Sequence, residues 1–151
     1  MSPDGSAQDS LDTGCAFCAI VAGTEPAEIV HRDDTTIAFL DRRPLFAGHV
    51  LLCPVEHHPT LPDLPPPLVE PLFATARTLA DVVRDAMDAE GTFVAMNNVV
   101  SQSVPHLHVH VVPRRRKDGL RGFFWPRTPY PDDEAMAAAG QAIRDELARR
   151  S

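Results

Sequence analysis

The sequence predicts a single α+β domain built around an antiparallel sheet. Its 151 residues suit one domain, and its 44% hydrophobic and 23% charged content is typical of a globular chain. Five short strand-like segments are separated mainly by turns, and two long segments have helical periodicity. A doubly wound parallel sheet would need a helix after nearly every strand, and this order of elements lacks those helices.

The chain begins with a polar tail and a short helix. Residues 1–13 carry Ser, Asp, Gly and Gln and little apolar material, which predicts a flexible tail. A short helix is predicted over 15–22, closed by Gly23, because glycine tolerates the left-handed conformation common at helix ends. Two strands follow around a turn at the Asp33-Asp34 pair, and they are predicted at residues 28–32 and 35–41.

The middle of the chain contains a third strand, a proline-rich stretch and the longest helix. Residues 49–55 are mostly apolar, which predicts a central strand. The prolines from Pro54 to Pro71 disfavour an inner strand or a helix interior, so an extended surface crossing is predicted there. Apolar residues at spacings of three and four predict a helix over 68–90, ended by Gly91.

Two further strands and a final helix complete the predicted domain. The strands are expected at 93–97 and 106–112. Pro131 and the acidic residues after it predict a helix start, because negative side chains complement the positive end of the helix dipole. This C-terminal helix, residues 132–151, is expected to pack on the domain formed by residues 14–131.

Charge and the N-terminal sequence narrow the possible partners and the compartment. A formal net charge of −7 makes the chain a poor general nucleic-acid binder, because phosphate neutralisation needs clustered Lys and Arg. No apolar run approaches the ~18 residues of a membrane span. The N-terminus also lacks the basic and apolar regions of a secretory signal. We therefore expect a cytoplasmic protein with no nucleic-acid or membrane partner.

The most informative residues are His106, His108 and His110. Alternate side chains of a strand share one face, so the three imidazoles should project to one side, about 7 Å apart by the strand rise. A zinc hydrolase site normally adds a carboxylate base, but no Asp or Glu lies between Glu90 and Asp118. A pH sensor is a second interpretation. The third is nucleophilic catalysis on phosphorus, because imidazole is a good nucleophile at neutral pH and a nucleotidylated imidazole hydrolyses readily.

Cys15 and Cys18 form a CxxC pair, which in a reducing compartment indicates a metal site or a redox motif. The redox motif needs a helix directly after a strand in thioredoxin-like order, and this N-terminus lacks that order. A metal site needs two further ligands, since CxxC supplies half of a tetrahedral set. Two packed thiols are the remaining alternative.

These motifs resemble the histidine triad (HIT) superfamily, in particular its dinucleoside-polyphosphate hydrolase-like branch. The resemblance lies in QSVPHLHVHVVPR at 102–114, AFLD at 38–41 and AGHVLLCP at 47–54, and it covers about residues 15–130. It implies the HIT fold, which has a five-stranded antiparallel sheet, one long helix, a short N-terminal helix and a C-terminal helix. It also implies a homodimer.

The resemblance assigns roles to four histidines. His108 matches the nucleophile, which attacks an α-phosphate and forms a nucleotidyl-histidine. His110 matches the residue that contacts the phosphate and protonates the leaving group. His106 matches a supporting residue that orients the nucleophile, and His49 matches a fourth histidine that approaches the triad. The implied enzyme is a nucleotide hydrolase or transferase that cleaves a dinucleoside polyphosphate or a related nucleotide conjugate and releases AMP. A nucleoside phosphoramidate hydrolase and a slow or non-catalytic nucleotide-binding sensor are the alternatives.

The resemblance also implies nucleotide contacts. The apolar slot for the base corresponds to Phe17, Ile20, Phe39 and Leu40, the ribose-binding acid to Asp41, and the phosphate-binding residues to Asn97, Gln102 and Ser103. One feature departs from the family pattern, because the segment from Asn97 to Gln102 is shorter and has no glycine. Glycine normally lets such a loop approach the phosphates closely.

The last implication of the resemblance is a structural zinc ion. Its ligands would be Cys15, Cys18, His57 and His106, with His58 as the alternative to His57. Such a closed site would fasten the N-terminus to the triad strand and would perform no catalysis.

Overall fold

A computed structural model describes residues 14–121 and 126–151 and has the predicted α+β fold. Its five-stranded antiparallel sheet has the order β1-β2-β3-β5-β4. The strands are β1 (Ile29–Arg32), β2 (Thr36–Leu40), β3 (Val50–Pro54), β4 (Gly91–Ala95) and β5 (Val109–Arg114). The helices are α1 (Ala16–Ala22), α2 (Pro66–Ala86) and α3 (Asp133–Arg150), with a 3-10 turn at Leu61–Asp63. The tail predicted at residues 1–13 lies outside the described residues.

Helix α1 has the ends that the sequence predicts. Cys15 is its N-cap, and the Cys15 Sγ atom accepts the backbone N–H of Cys18 at 3.3 Å. Gly23 closes the helix with a φ of 78°, a left-handed conformation that costs glycine little. The first cysteine of the CxxC pair is therefore the helix cap, and the second donates its backbone N–H to that cap.

The prediction for the proline-rich stretch is wrong at both of its ends. Pro54 is the last residue of β3, where it lies opposite Thr36. Helix α2 begins at Pro66, because the first helical residues need no N–H partner, and it continues through Pro71. The lost hydrogen bond at Pro71 is outweighed by burial of the apolar stripe, which includes Leu72, Ala76, Leu79 and Val83. The helix ends at Ala86, and Gly91 begins β4 instead of ending the helix.

Strand β5 begins later than predicted, and the reason lies in the backbone just before it. The N–H of His106 donates to the Val104 carbonyl at 2.8 Å, and the N–H of Leu107 donates to the His58 carbonyl at 2.7 Å. Both groups therefore bond outside the sheet, and the ladder with β3 starts at Val109. The predicted alternation continues upstream of the strand, since Leu107, Val109 and Val111 are all buried in one core cluster.

The sheet separates two apolar clusters. One lies between the sheet and α2 and includes Leu52, Leu72 and Val111. The other lies on the opposite face and joins Phe17 and Ile20 of α1 to side chains of β2 and β3. The histidines at alternate positions of the triad segment face this second cluster, beside α1.

The chain divides into two compact units, residues 1–118 and 119–151. In the second unit, the Asp132 carboxylate caps α3 by accepting the Ala135 N–H at 2.7 Å, so the predicted helix start is confirmed. The packing of residues 132–151 on residues 14–131 stays a prediction. None of the helices within the described part of the chain is long and apolar enough to span a bilayer.

Candidate active site and metal centre

His108 is held in one tautomer by the backbone of its neighbour. Its Nδ1–H donates to the His106 carbonyl at 2.7 Å. The proton of the neutral ring is therefore on Nδ1, and Nε2 keeps its lone pair. His108 is only 3% exposed. The arrangement presents an imidazole nitrogen ready to act as a nucleophile.

A second chain of hydrogen bonds fixes the tautomer of His110. The backbone N–H of Leu45 donates to His49 Nδ1 at 3.1 Å, so the proton of neutral His49 is on Nε2. That Nε2–H donates to His110 Nδ1 at 2.9 Å, which leaves the proton of His110 on its own Nε2. His108 Nε2 thus carries a lone pair, whereas His110 Nε2 carries a proton.

Both rings of this relay are kept neutral. Burial, together with the nearby His108 and His49 rings, lowers the pKa of His110 to about 4. Burial also lowers the pKa of His49. The ring centroids of His108 and His110 are 5.0 Å apart, closer than the 7 Å expected from the strand rise, because the two rings converge.

Asp41, His49 and His110 also form a cluster whose potential donor atoms lie within 4.8 Å of one another. This cluster does not suit a metal ion. His49 Nδ1 already accepts the Leu45 N–H, so His49 Nε2 carries a proton and has no lone pair to offer. The cluster instead suits a proton-donating relay, with Asp41 Oδ2 3.8 Å from His49 Nε2.

A pocket of about 190 Å³ lies beside the histidines on the α1 face of the sheet. All five residues predicted to hold the nucleoside line it, namely Phe17, Ile20, Phe39, Leu40 and Asp41. Phe17 connects the pocket to the nucleophile, because its ring meets His108 edge to face at 5.0 Å. Asp41 connects it to His49. The pocket is thus largely apolar, with three charged side chains in its lining, those of Glu25, Asp41 and Arg42, and with the histidines beside two of its lining residues.

The amide side chains assigned to phosphate contact other parts of the protein. Asn97 Nδ2 donates to the Ser101 carbonyl at 3.2 Å. Gln102 Nε2 donates to the Pro59 carbonyl at 2.6 Å, and its Oε1 accepts the Val99 N–H at 3.2 Å. Ser103 is exposed. These contacts hold the loop in shape, and the predicted phosphate roles of all three residues stay predictions.

The same loop contains strained backbone that the sequence did not predict. Val99 has a φ of 72° and Ser101 a φ of 63°, in a region that residues with a side chain rarely adopt. The Val100 N–H donates to the Asn98 carbonyl at 2.9 Å, so Val99 is the centre of a γ-turn. The absence of glycine from this loop was the sequence signal for strain, because two of its residues have positive φ values.

The four predicted zinc ligands come together at the N-terminus of α1. Their potential donor atoms all lie within 4.8 Å of one another. His106 Nδ1 is 3.5 Å from each sulfur, and 3.2 Å from His57 Nδ1. Zinc bond lengths in a tetrahedron place mixed sulfur and nitrogen ligands about 3.5 Å apart, so the donor set fits a zinc ion.

The protonation of the cluster also suits a metal. His106 Nε2–H donates to the Pro54 carbonyl at 2.9 Å, which leaves Nδ1 unprotonated toward the sulfurs. Burial lowers the pKa of His106 to about 4, so the ring is neutral. Without an ion, burial and the Cys15 sulfur raise the pKa of Cys18 to about 12, and a bound cation would stabilise its thiolate.

The geometry separates His57 from its neighbour His58. His57 Nδ1 is 3.2 Å from Cys18 Sγ, whereas His58 Nε2 is 3.0 Å from Glu56 Oε2. Of the two histidines, His57 is therefore the one whose ring nitrogen belongs to the cluster.

Known proteins share both the sequence and the fold of this chain. The HIT domain family matches residues 22–117. A HIT-like protein of Mycobacterium tuberculosis is 36% identical over 141 residues, which cover 90% of this chain and 94% of the relative. The crystal structure of a Streptococcus mutans protein superposes with a TM-score of 0.80 at 32% identity, covering 89% of this chain and 86% of that one. A zinc-bound histidine triad protein of Mycobacterium smegmatis superposes with a TM-score of 0.68 at 35% identity, covering 87% and 97%.

Three relatives bear the name of an activity. An adenylylsulfatase of Arabidopsis thaliana is 32% identical, over 79% of this chain and 62% of its own length. An adenosine 5'-monophosphoramidase of Candida albicans is 27% identical, over 89% and 92%. An asymmetrical bis(5'-nucleosyl)-tetraphosphatase of Schizosaccharomyces pombe is 32% identical, over 61% and 52%. The family match and these identities establish that this chain is a member of the HIT domain family.

Proposed function

We propose that this protein is a nucleotide hydrolase that cleaves at the α-phosphate of a dinucleoside polyphosphate or a related nucleotide conjugate and releases AMP. The observation that carries the proposal is the pair of opposite tautomers, with a lone pair on His108 Nε2 and a proton on His110 Nε2. A nucleophile beside a proton donor is what substitution at phosphorus requires.

In the first step, the lone pair of His108 Nε2 attacks the α-phosphorus. The bond from phosphorus to the leaving group breaks as the bond to nitrogen forms. The leaving atom accepts a hydrogen bond from His110 Nε2–H and departs with the electron pair of the broken bond, taking a proton from solvent where it is an amine. The Nδ1–H bond to the His106 carbonyl supports the positive charge that develops on the His108 ring.

In the second step, water attacks the phosphorus of the nucleotidyl-histidine. The oxygen of the water bonds to the phosphorus, and the proton that the water loses passes to solvent. The phosphorus–nitrogen bond breaks, its electron pair returns to His108 Nε2, and the nucleoside monophosphate leaves. The pocket beside Phe17 and Asp41 would hold the nucleoside through both steps.

The leaving group defines the two candidate substrates. The Schizosaccharomyces pombe relative supports a dinucleoside polyphosphate, whose leaving group is a nucleoside polyphosphate. The Candida albicans relative supports a phosphoramidate, whose leaving group is an amine. The chemistry of His108 is the same for both, so the leaving group must be identified by assay.

Two structural proposals accompany the reaction. Cys15, Cys18, His57 and His106 would hold a zinc ion, which supplies cross-linking of the fold and no chemical step. A homodimer is supported by apolar side chains that remain exposed on α2 and on the edge strand β4, among them Phe73, Val82 and Val94.

The proposed function is tested with adenosine dinucleotides and an AMP–lysine conjugate as substrates. We expect release of AMP by the wild type and its loss in His108→Asn, which keeps an amide donor near the His106 carbonyl but has no Nε2. His31→Asn on β1 is the matched control and should keep full turnover. AMP binding without turnover of any substrate would indicate the non-catalytic sensor instead, and turnover by His108→Asn would refute the nucleophile.

A further inference from the structure

We infer that Cys15, Cys18 and His57 are positioning residues for the nucleophile, because the metal they bind fixes the peptide whose carbonyl sets the His108 tautomer. This inference rests on the proposed function, in which His108 attacks phosphorus. It gives the metal centre a role beyond fastening the N-terminus.

His106 belongs to both sites at once. Its ring nitrogen Nδ1 faces the two sulfurs and His57, at 3.2 to 3.5 Å. Its backbone carbonyl accepts the His108 Nδ1–H at 2.7 Å. A rotation of the His106 ring away from the metal would therefore also disturb the His106 backbone, whose carbonyl holds the nucleophile.

The peptide between His106 and Leu107 is held at its other end by the segment that supplies His57. The Leu107 N–H donates to the His58 carbonyl at 2.7 Å, and His58 directly follows the metal ligand. A metal bound by His57 and His106 together would keep these two segments adjacent. The orientation of the peptide, and thus of the carbonyl that meets His108, then depends on the ion.

The CxxC segment also contacts the nucleophile, through the side chain of Phe17. Phe17 lies between the two cysteines, and its ring is 5.0 Å from the His108 ring and 6.0 Å from the His106 ring. Two metal ligands therefore flank the side chain that packs against His108. By contrast, Phe39, Leu40 and Asp41 of the nucleoside pocket lie on or beside β2, so their positions are held by the sheet and not by the metal. Loss of the metal should disturb the nucleophile more than nucleoside binding.

The experiment compares wild type with Cys15→Ser and His57→Asn. Serine is a good N-cap, so Cys15→Ser removes a ligand but keeps the cap of α1. The measurements are zinc per chain, the imidazole ¹H–¹⁵N spectrum that reports the His108 tautomer, AMP affinity, and kcat and KM. We expect both variants to lose zinc and His108 to populate both tautomers. We also expect kcat to fall by about ten- to a hundredfold, the range measured for lost outer-shell partners of metal sites, with AMP affinity changed less.

Val83→Ala is the control for lost stability, because it trims the core under α2 and touches neither site. It should keep zinc, the single His108 tautomer and kcat. If the ligand variants do not fold, wild type treated with a chelator below its unfolding temperature gives the same spectrum without a mutation. A metal-free chain with an unchanged His108 tautomer, or wild type purified without metal, would overturn the inference. Metal-dependent tautomers in a protein that cleaves no nucleotide would instead overturn the proposed function alone.

Discussion

Phe17 meets the His108 ring edge to face, with the ring centroids 5.0 Å apart and the planes at 89°. The same side chain packs on Phe39 at 5.2 Å and lines the nucleoside pocket. One residue of α1 therefore supports both the proposed nucleophile and the proposed base site.

We expect Phe17→Leu to lower kcat/KM by up to about tenfold. Leucine fills most of the volume but loses the aromatic contacts, which are worth about 0.5–1.5 kcal/mol beyond area burial. Steady-state kinetics with the best nucleotide substrate measures the change. Phe73→Leu on α2 is the same replacement at a position 44% exposed and outside the site, and it should leave kcat/KM nearly unchanged. Equal effects of the two replacements would argue against a role for the Phe17 ring.

Stability should depend on pH through His110. Burial and the neighbouring rings lower its folded pKa to about 4, below the ordinary value of 6.5. Between these values the unfolded chain binds more protons than the folded one, so stability is present above pH 6.5 and is lost as pH falls toward 4. Thermal unfolding at several pH values measures this slope.

His110→Asn is the variant that isolates this contribution. Any acid release of a metal at the Cys15 cluster affects wild type and variant alike, so the difference between their two curves belongs to His110. We expect the variant to have the shallower loss of Tm between pH 6.5 and 4. Parallel curves would mean that the folded protein does not keep His110 neutral below pH 6.5.

Gly48 is predicted to tolerate a side chain much less well than Gly91. Its φ is 93°, and a Cβ atom there would lie 2.5 Å from Met87 Cγ. We expect Gly48→Ala to lower the free energy of unfolding by about 1–3 kcal/mol, through backbone strain and overpacking. Gly91→Ala is the control, because a Cβ there meets nothing within 4 Å and the residue lies in β4. Denaturant unfolding compares the two, and an equal cost for both would contradict the role of the positive φ.

Local patterns were enough to predict the parts of the site that depend on spacing. The alternation of His and aliphatic residues fixes which side chains share a face, because a period of two needs only extended backbone. The glycine after α1 and the acids before α3 mark helix ends through short-range hydrogen bonds. The sheet was predicted from segments whose composition is typical of β-strands.

Features that depend on distant backbone groups could not be predicted. The start of β5 is set by the Leu107 N–H bonding to the His58 carbonyl, far away in sequence. The tautomer of His110 is set by the Leu45 N–H, a group that every residue except proline has, so no sequence signal marks it. The position of Pro71 could not be predicted for a different reason. Burial of the apolar stripe of α2 outweighed the usual exclusion of proline from a helix interior.

The γ-turn at Val99 allows a test of strain beside the site. A positive φ costs a residue with a side chain roughly 1–2 kcal/mol, and glycine is free of that cost. Glycine itself destabilises the folded state by about 0.5–1 kcal/mol, because the unfolded chain gains conformational freedom. We therefore expect Val99→Gly to leave the free energy of unfolding unchanged or to raise it by up to about 1.5 kcal/mol. Denaturant unfolding of the purified variant is the measurement.

Val100→Gly is the matched control, since Val100 lies in the same loop, is 79% exposed against 74% for Val99, and is not among the residues with positive φ. It gains no relief of strain and should lose about 0.5–1 kcal/mol. The sign of the difference between the two variants is thus the readout, and a larger loss for Val99→Gly would rule out stored strain. If strain at Val99 serves catalysis, the stabilised Val99→Gly chain should also turn over nucleotide more slowly, because the loop that precedes the triad would no longer be held in one conformation.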